Sequence, residues 1–333
     1  MKIHRCFWLF FIGLISIAFG QKMNGVSYVG TKENILPAHI TPVEKLGANY
    51  VSLMPFGYLD SIEDSKVRFD TSWQWKGETT AGIEAMIPLF QAVNIQVMLK
   101  PQIWISKGVY TGKINPPNEH DWQELKSSYR DFILHFAQLA EKFQLPLYCI
   151  GTELSSMVKK DPQFWRDLIQ AVRKVYRGKL VYAENWDQYE GVSFWDALDY
   201  IGVNAYFPLK GPLPATLDSI DKRWSTASSS MAQLSQQMDR PILFTEMGYR
   251  SIPDPLSRPW DYRTAASHYD PQMQAMAMEA LLRHFMPKKW WKGGFVWKWF
   301  PNHEKAGGEM HTGFSPQNKL AEDVLRRYFT KRE

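Results

Sequence analysis

The sequence predicts a single (β/α)8 barrel, and three observations carry that prediction. Eight short apolar segments recur along the 333 residues, at 25–28, 50–56, 96–104, 148–154, 180–186, 200–207, 241–248 and 293–300. They are continuous runs rather than strict alternations, the pattern of parallel strands covered on both faces. Segments of helical period lie between them, and no linker or shift in composition divides the chain, which argues against two domains. The connections are also unequal. Those after strands are long (57–80, 105–120, 208–230, 250–271 and 301–315), whereas those after helices are short, as at 143–148. Loops after strands build the active face of such a barrel, so the extra chain lies where a cleft would form.

Taken in order, the chain opens with Lys2 and Arg5 ahead of an apolar run, 7–19, with small residues at Ala18 and Gly20. That is the layout of a secretory signal peptide over residues 1–20, too short for the ~20 apolar residues that span a bilayer. Cleavage before Gln21 would leave a secreted or periplasmic barrel of residues 21–333, with no stable membrane insertion. Cys6 precedes the apolar run, which argues against a lipid-modified N-terminus. Cys149 is then the only cysteine, so no intramolecular disulfide can form and a buried, inert thiol is expected. Losing the leader lowers the formal net charge of +5 by two. That balance names no polyanionic partner, and no basic patch with interleaved aromatics suggests nucleic acid. Oligomeric state is not legible.

The first two strands, 25–28 and 50–56, are plain apolar runs. On the third, Lys100, Gln102 and Trp104 share a face by two-residue alternation. A helix follows over 121–143, with Leu125, Tyr129, Phe132, Ile133, Phe136, Leu139 and Ala140 at helical spacing. The fourth strand, Tyr148-Cys149-Ile150-Gly151-Thr152-Glu153, delivers a carboxylate to its end. Asp161-Pro162 then caps a helix whose stripe runs Phe164, Trp165, Leu168, Ile169, Val172, Val175 and Tyr176. Both stripes read as core packing. On the fifth strand Tyr182, Glu184 and Trp186 face one way and Asn185 the other. Asn204 and Tyr206 share a face on the sixth. The seventh, Leu243-Phe244-Thr245-Glu246-Met247-Gly248-Tyr249, ends in a second carboxylate. On the eighth, Phe295, Trp297 and Trp299 alternate with Val296, Lys298 and Phe300.

Much chemistry is missing. The sequence has no phosphate-cradling glycine motif, no nucleophile-elbow serine and no histidine pair at helical metal-ligand spacing. His303, Glu304, Glu309 and His311 share a loop, but without recurring ligand spacing, so neither a metal nor another cofactor is expected. What remains is the pair Glu153 and Glu246, 93 positions apart. With a strand and helix about every 31 residues, that is three repeats, which places both side chains on one rim. A lone strand-end glutamate is usually a salt-bridge partner. Two at this interval suit glycoside hydrolysis, in which one carboxyl protonates the departing oxygen while the other meets the anomeric carbon. Retention of configuration needs the two carboxyls ~5 to 5.5 Å apart, and opposite proton affinities.

These motifs resemble the large clan A of retaining glycoside hydrolases. Within it, Gly151-Thr152-Glu153, Phe244-Thr245-Glu246-Met247-Gly248-Tyr249, the run from Gly294 to Trp299 and Gly313-Phe314-Ser315-Pro316 look like family 113, the β-mannanase-like family. The similarity covers nearly the whole chain past residue 20. It implies Glu153 as acid/base, Glu246 as nucleophile and β-1,4-linked mannan or manno-oligosaccharides as the substrate class. Most clan members place asparagine before the acid/base, where this chain has Thr152; Asn185 and Asn204 are candidates to supply that amide. A hydrolase for another β-glycan, or a non-catalytic glycan-binding barrel, uses the same elements.

The remaining candidates follow from parity. Tyr206 is placed to donate its hydroxyl to Glu246, or else to serve as a rim aromatic. Lys100 inside a barrel is costly unless it is paired or meets a sugar hydroxyl, and Trp104 lies beyond it. Asn185 is preferred over its rival Glu184. Trp297 is the candidate sugar platform, unless the tryptophans of that strand face outward and Lys298 points into the cleft. The loop 250–270, with Trp260, Tyr262 and Tyr269, is expected to wall the cleft.

Overall fold

Strands and helices alternate around one closed sheet. In the computed structural model, which describes residues 21–262 and 268–331, the strands are β1 (Met23–Tyr28), β2 (Tyr50–Leu53), β3 (Phe56–Leu59), β4 (Gln96–Leu99), β5 (Gln102–Ile105), β6 (Leu147–Thr152), β7 (Lys179–Asn185), β8 (Tyr200–Asn204), β9 (Ile242–Met247) and β10 (Trp291–Trp299). Eight of them close a barrel in the order β1-β10-β9-β8-β7-β6-β4-β2, with every neighbouring pair parallel. The segment read as a signal peptide, 1–20, lies outside the described residues.

The helices are α1 (Pro37–Lys45), α2 (Thr80–Gln91), α3 (Glu119–Lys142), α4 (Ser155–Lys160), α5 (Pro162–Val175), α6 (Leu217–Arg223), α7 (Ser225–Met238), α8 (Pro271–Phe285) and α9 (Leu320–Phe329). Side-chain oxygens start several of them. Asn118 caps α3, Asp161 caps α5 and Asp270 caps α8, each accepting a backbone N–H from the first turn, and Pro162 and Pro271 occupy the first turns of the last two. None of the described helices is long and apolar enough to cross a membrane.

Alternation along the strands divides the core in two. Met23, Met98, Leu147, Cys149, Val181, Ala183, Leu243 and Phe295 fill the barrel interior. The opposite parity packs against the helices, with Trp165, Trp224, Trp291 and Trp299 all fully buried there. Each such ring removes ~150–250 Å² from water, so the tryptophans contribute largely to stability from this outer layer. Cys149 is free and buried, and burial pushes its thiol up.

Three expectations are corrected. The second and third apolar runs each break in two, at Pro55 and Pro101, because proline has no N–H for the ladder. Beyond the break the chains pair again as the separate ladder β3–β5, with Gln102 N donating to Pro55 O (2.9 Å). The stretch 208–230 is not one long loop but holds α6 and the start of α7, opened by a Thr216–Ser219 capping box. Between β7 and β8 the chain forms only short 3-10 turns, Tyr189–Gly191 and Trp195–Ala197. Rings take the place of a helix there: Phe194 stacks on Trp165 (5.5 Å between centroids) and meets Tyr182 edge-on.

Candidate active site

Strand irregularities deliver the two glutamates. β8 and β9 run in register through Val203↔Phe244, and then Asn204 pairs with Glu246, so Thr245 is the extra residue of a β-bulge. Counting from inward-facing Leu243, an unbroken strand would turn Glu246 outward beside Phe244. The bulge returns it to the barrel mouth. β6 slips similarly between Cys149↔Val181 and Thr152↔Ala183. A Cβ on Gly151 would lie 2.6 Å from the Tyr129 hydroxyl oxygen and 3.0 Å from the Trp165 and Tyr182 rings, so only glycine fits at this slip. Glu153 itself has φ 53°, the left-handed region that costs a non-glycine residue of order 1–3 kcal/mol and persists only where its surroundings hold it.

Three donors converge on Glu246. The Lys100 ammonium makes a short ion pair with Oε1, Gln102 Nε2 donates to the same oxygen at 3.3 Å, and the Tyr206 hydroxyl donates to Oε2 at 2.9 Å. Lys100 is 0 % exposed. Unpaired, such a charge would cost several kcal/mol, so this lysine belongs to the glutamate rather than standing free for a sugar. Across the mouth, Asn204 Nδ2 donates to Glu153 Oε1 (2.8 Å) while its Oδ1 accepts from Thr245 (2.8 Å). One asparagine thus ties the acid candidate to the bulge that aims its partner. Burial, the Glu246 charge and the Glu184 charge together push the Glu153 carboxyl up to about 8, against the opposing pull of Asn204 and Lys100. A carboxyl that keeps its proton beside one that accepts three hydrogen bonds is the division of labour that acid-assisted glycosidic cleavage requires.

The remaining candidates divide. Lys100, Asn204 and Tyr206 surround the two carboxylates. Trp297 faces inward, its ring 6.0 Å from Lys100 Nζ. The expected alternation of β10 then fails: Trp299 is buried against the outer layer, whereas Lys298 lies beside Trp297, its Nζ 5.4 Å from that ring. The peptide between Trp297 and Lys298 is cis. Burial pulls the Lys298 ammonium down, opposed by the Glu246 charge. Asn185 shares the inward parity of Val181 and Ala183, but its side-chain oxygen accepts from Trp186 N (3.0 Å). Glu184 is buried behind the site.

Trp104 stands at the rim, 46 % exposed, one pleat beyond Gln102 on the same face of β5. Its neighbour across the ladder is Tyr58, against which the exposed Trp73 packs edge-on at 4.6 Å. An aromatic strip therefore climbs outward from Gln102. On the loop after β9, Trp260 stacks on Trp186 (5.1 Å) and Tyr262 donates to Gly108 O (3.2 Å), while residues 263–267 lie outside the described residues. Tyr269 instead lines a groove with Glu309 and Lys319. His303 is bound to Glu322 on α9 (3.0 Å), and His311 Nδ1 lies 3.3 Å from Lys319 Nζ. Sequence reading passed over Gln102 as a partner of Glu246, although its shared face with Lys100 was the available signal. Thr111, whose hydroxyl donates to Glu153 O (3.2 Å), carried no periodic signal at all.

The β-mannanase AaManA of family 113 from Alicyclobacillus acidocaldarius, solved in complex with ManMIm, superposes with a TM-score of 0.80 at 25% identity, over 94% of this chain and 99% of that one. A structure of a family 113 β-1,4-mannanase gives 0.81 at 23% identity, over 94% of this chain and 100% of the other. A complex of a family 113 β-1,4-mannanase gives 0.80 at 22%, with the same two coverages. No curated protein sequence matches significantly. The model of Glycoside Hydrolase Family 113 matches residues 31–319, which takes in both carboxylate-bearing strands and the bulged strand ends: the chain is a glycoside hydrolase of family 113.

Proposed function

We propose that the protein is a retaining hydrolase of β-1,4-linked mannan or manno-oligosaccharides. The observation that carries this reading is Glu246 under three donors, facing a Glu153 that retains its proton. In the first step a Glu246 oxygen attacks the anomeric carbon as the glycosidic bond breaks, and Glu153 gives its proton to the departing oxygen. In the second, Glu153 takes a proton from water, which displaces Glu246 from the sugar. Trp297 forms the floor on which the reacting sugar rests, and Lys100, Tyr206 and Asn204 keep the two carboxylates apart in role. The mannose preference is supported by the family 113 mannanases that share the fold. The charged start and apolar run of residues 1–20 support export, with Gln21 as the first residue of a secreted or periplasmic enzyme.

The test is incubation of the purified protein with β-1,4-mannan, β-1,4-glucan and β-1,4-galactan, following the first-formed anomer by NMR. Manno-oligosaccharides appearing initially as β-anomers are expected. Release from another polysaccharide in preference to mannan would overturn the substrate, and an α-anomer formed first would overturn retention. The strip of Trp104, Tyr58 and Trp73 leads away from the carboxylates, so it is positioned to hold a long chain. Trp104→Ala is expected to lower kcat/KM about tenfold on mannohexaose, ~1.4 kcal/mol of lost stacking, and less than threefold on mannotriose. Equal losses on both would place Trp104 outside the chain-binding surface.

A further inference from the structure

A third carboxylate lies behind the pair. Glu184, 1 % exposed, has the parity of Tyr182 on the outer side of β7, opposite to the inward-facing Val181 and Ala183. Its Oε1 accepts from Ser155 Oγ (2.9 Å) and from Asn185 N (2.8 Å), and its Oε2 accepts from the Tyr182 hydroxyl (3.1 Å). Tyr182 Oη also accepts the Leu154 N–H (2.9 Å), so one ring hydroxyl joins the Glu184 carboxylate to the turn after Glu153. In this arrangement both oxygens of Glu184 accept, and all three donors are neutral. Leu154 and Ser155 follow Glu153 directly, and Glu153 sits in the left-handed conformation that must be held from outside.

We propose that Glu184 is a positioning residue for the acid/base: through Ser155 and Tyr182 it clamps the turn that carries Glu153, and it stands behind that turn as a fixed negative charge. Burial pushes the Glu184 carboxyl above the usual carboxylate range, and the hydrogen bonds from Asn185, Ser155 and Tyr182 oppose it by favouring the ionised form. The charge makes ionisation of Glu153 harder, in the same direction as burial and the Glu246 charge. The other titratable groups facing this part of the site act around it. Tyr182 on β7, Asp187 on the loop that follows and Tyr110 on the loop after β5 face Glu184, whereas Lys100 and Glu246 face Glu153 from the barrel mouth.

The inference rests on Glu153 being the acid of the proposed reaction, and the experiment separates the two. Glu184→Gln keeps the shape and removes the charge. Its kcat/KM on mannohexaose is expected to fall at least tenfold at pH 7.5, with the basic limb of the pH profile moved to lower pH, since Glu153 would release its proton more easily. With 2,4-dinitrophenyl β-mannoside, whose departure needs no proton, the loss should stay within threefold. An unmoved basic limb with equal losses on both substrates would reduce Glu184 to a structural residue and overturn the inference. Glu246→Gln, measured alongside, reports on the underlying reading: near-parental mannan hydrolysis in that variant would remove the reaction on which the inference stands. Should Glu184→Gln fail to fold, the parent labelled with [δ-13C]glutamate decides. A carboxyl resonance removed by the Glu184→Asp variant that shows an ionised group at pH 7 supports the inference, and a protonated one overturns it.

Discussion

Glu246→Gln is expected to lower turnover on mannan by on the order of 10⁴-fold or more, the scale seen when a covalent nucleophile is removed. The chain should still fold. Glutamine keeps an oxygen for Lys100 and Gln102 to donate to, and what is lost is the anion opposite a fully buried ammonium. Breaking a buried pair completely costs about 3–5 kcal/mol; retaining the acceptor and the nearby opening to solvent should keep the loss below that. The corresponding barrier change is ~5.5 kcal/mol, so the kinetic effect outweighs the structural one. Circular dichroism and thermal unfolding check the fold, and initial rates on mannan check the chemistry. A Glu246→Ala variant supplies the stricter measurement: azide should restore turnover of an activated aryl β-mannoside and yield the α-glycosyl azide, because the anion enters from the face that the carboxylate has vacated. Azide rescue giving a β-product would place the nucleophile elsewhere.

Glu153→Ala is expected to lower kcat/KM on mannan by about 10²–10⁴-fold, the usual contribution of a positioned general acid. The first step on 2,4-dinitrophenyl β-mannoside should be nearly spared, and a burst of dinitrophenol followed by slow steady turnover should appear, because water then lacks its base. The sign of the pH dependence follows from the raised proton affinity. Below about 8 Glu153 holds its proton and can act as acid, and activity on unactivated substrates is lost as pH rises through that value. The Glu153→Ala profile on mannan should lack this basic limb. Equal losses for good and poor leaving groups, with the limb retained, would remove Glu153 from the acid role.

Two-residue alternation held even across strand ends: Lys100 and Gln102 reach Glu246 from either side of the break at Pro101, and Asn204 and Tyr206, at and just past the end of β8, reach the two glutamates. It failed at Trp299 and Lys298, where β10 leaves the alternation, and it could not show the Thr245 bulge, because the extra residue is visible only against the register of the neighbouring strand. Glu184 shows the same limit from the other side. As a rival for the cleft it was set aside by parity, yet its place behind the Glu153 turn depends on Ser155 and Tyr182, which meet only in the fold.

By itself, then, the sequence determined the barrel and put forward two strand-end carboxylates as the proposed pair, because periodicity and strand spacing can be read along the chain. Tertiary structure decided how those carboxylates face one another and which of them keeps its proton. Lys100 and Glu246 lie 146 positions apart, and Asn204 and Glu153 lie 51 apart. Burial and charge pairing at that range arise only when the barrel closes, and they set the proton affinity that local sequence cannot express.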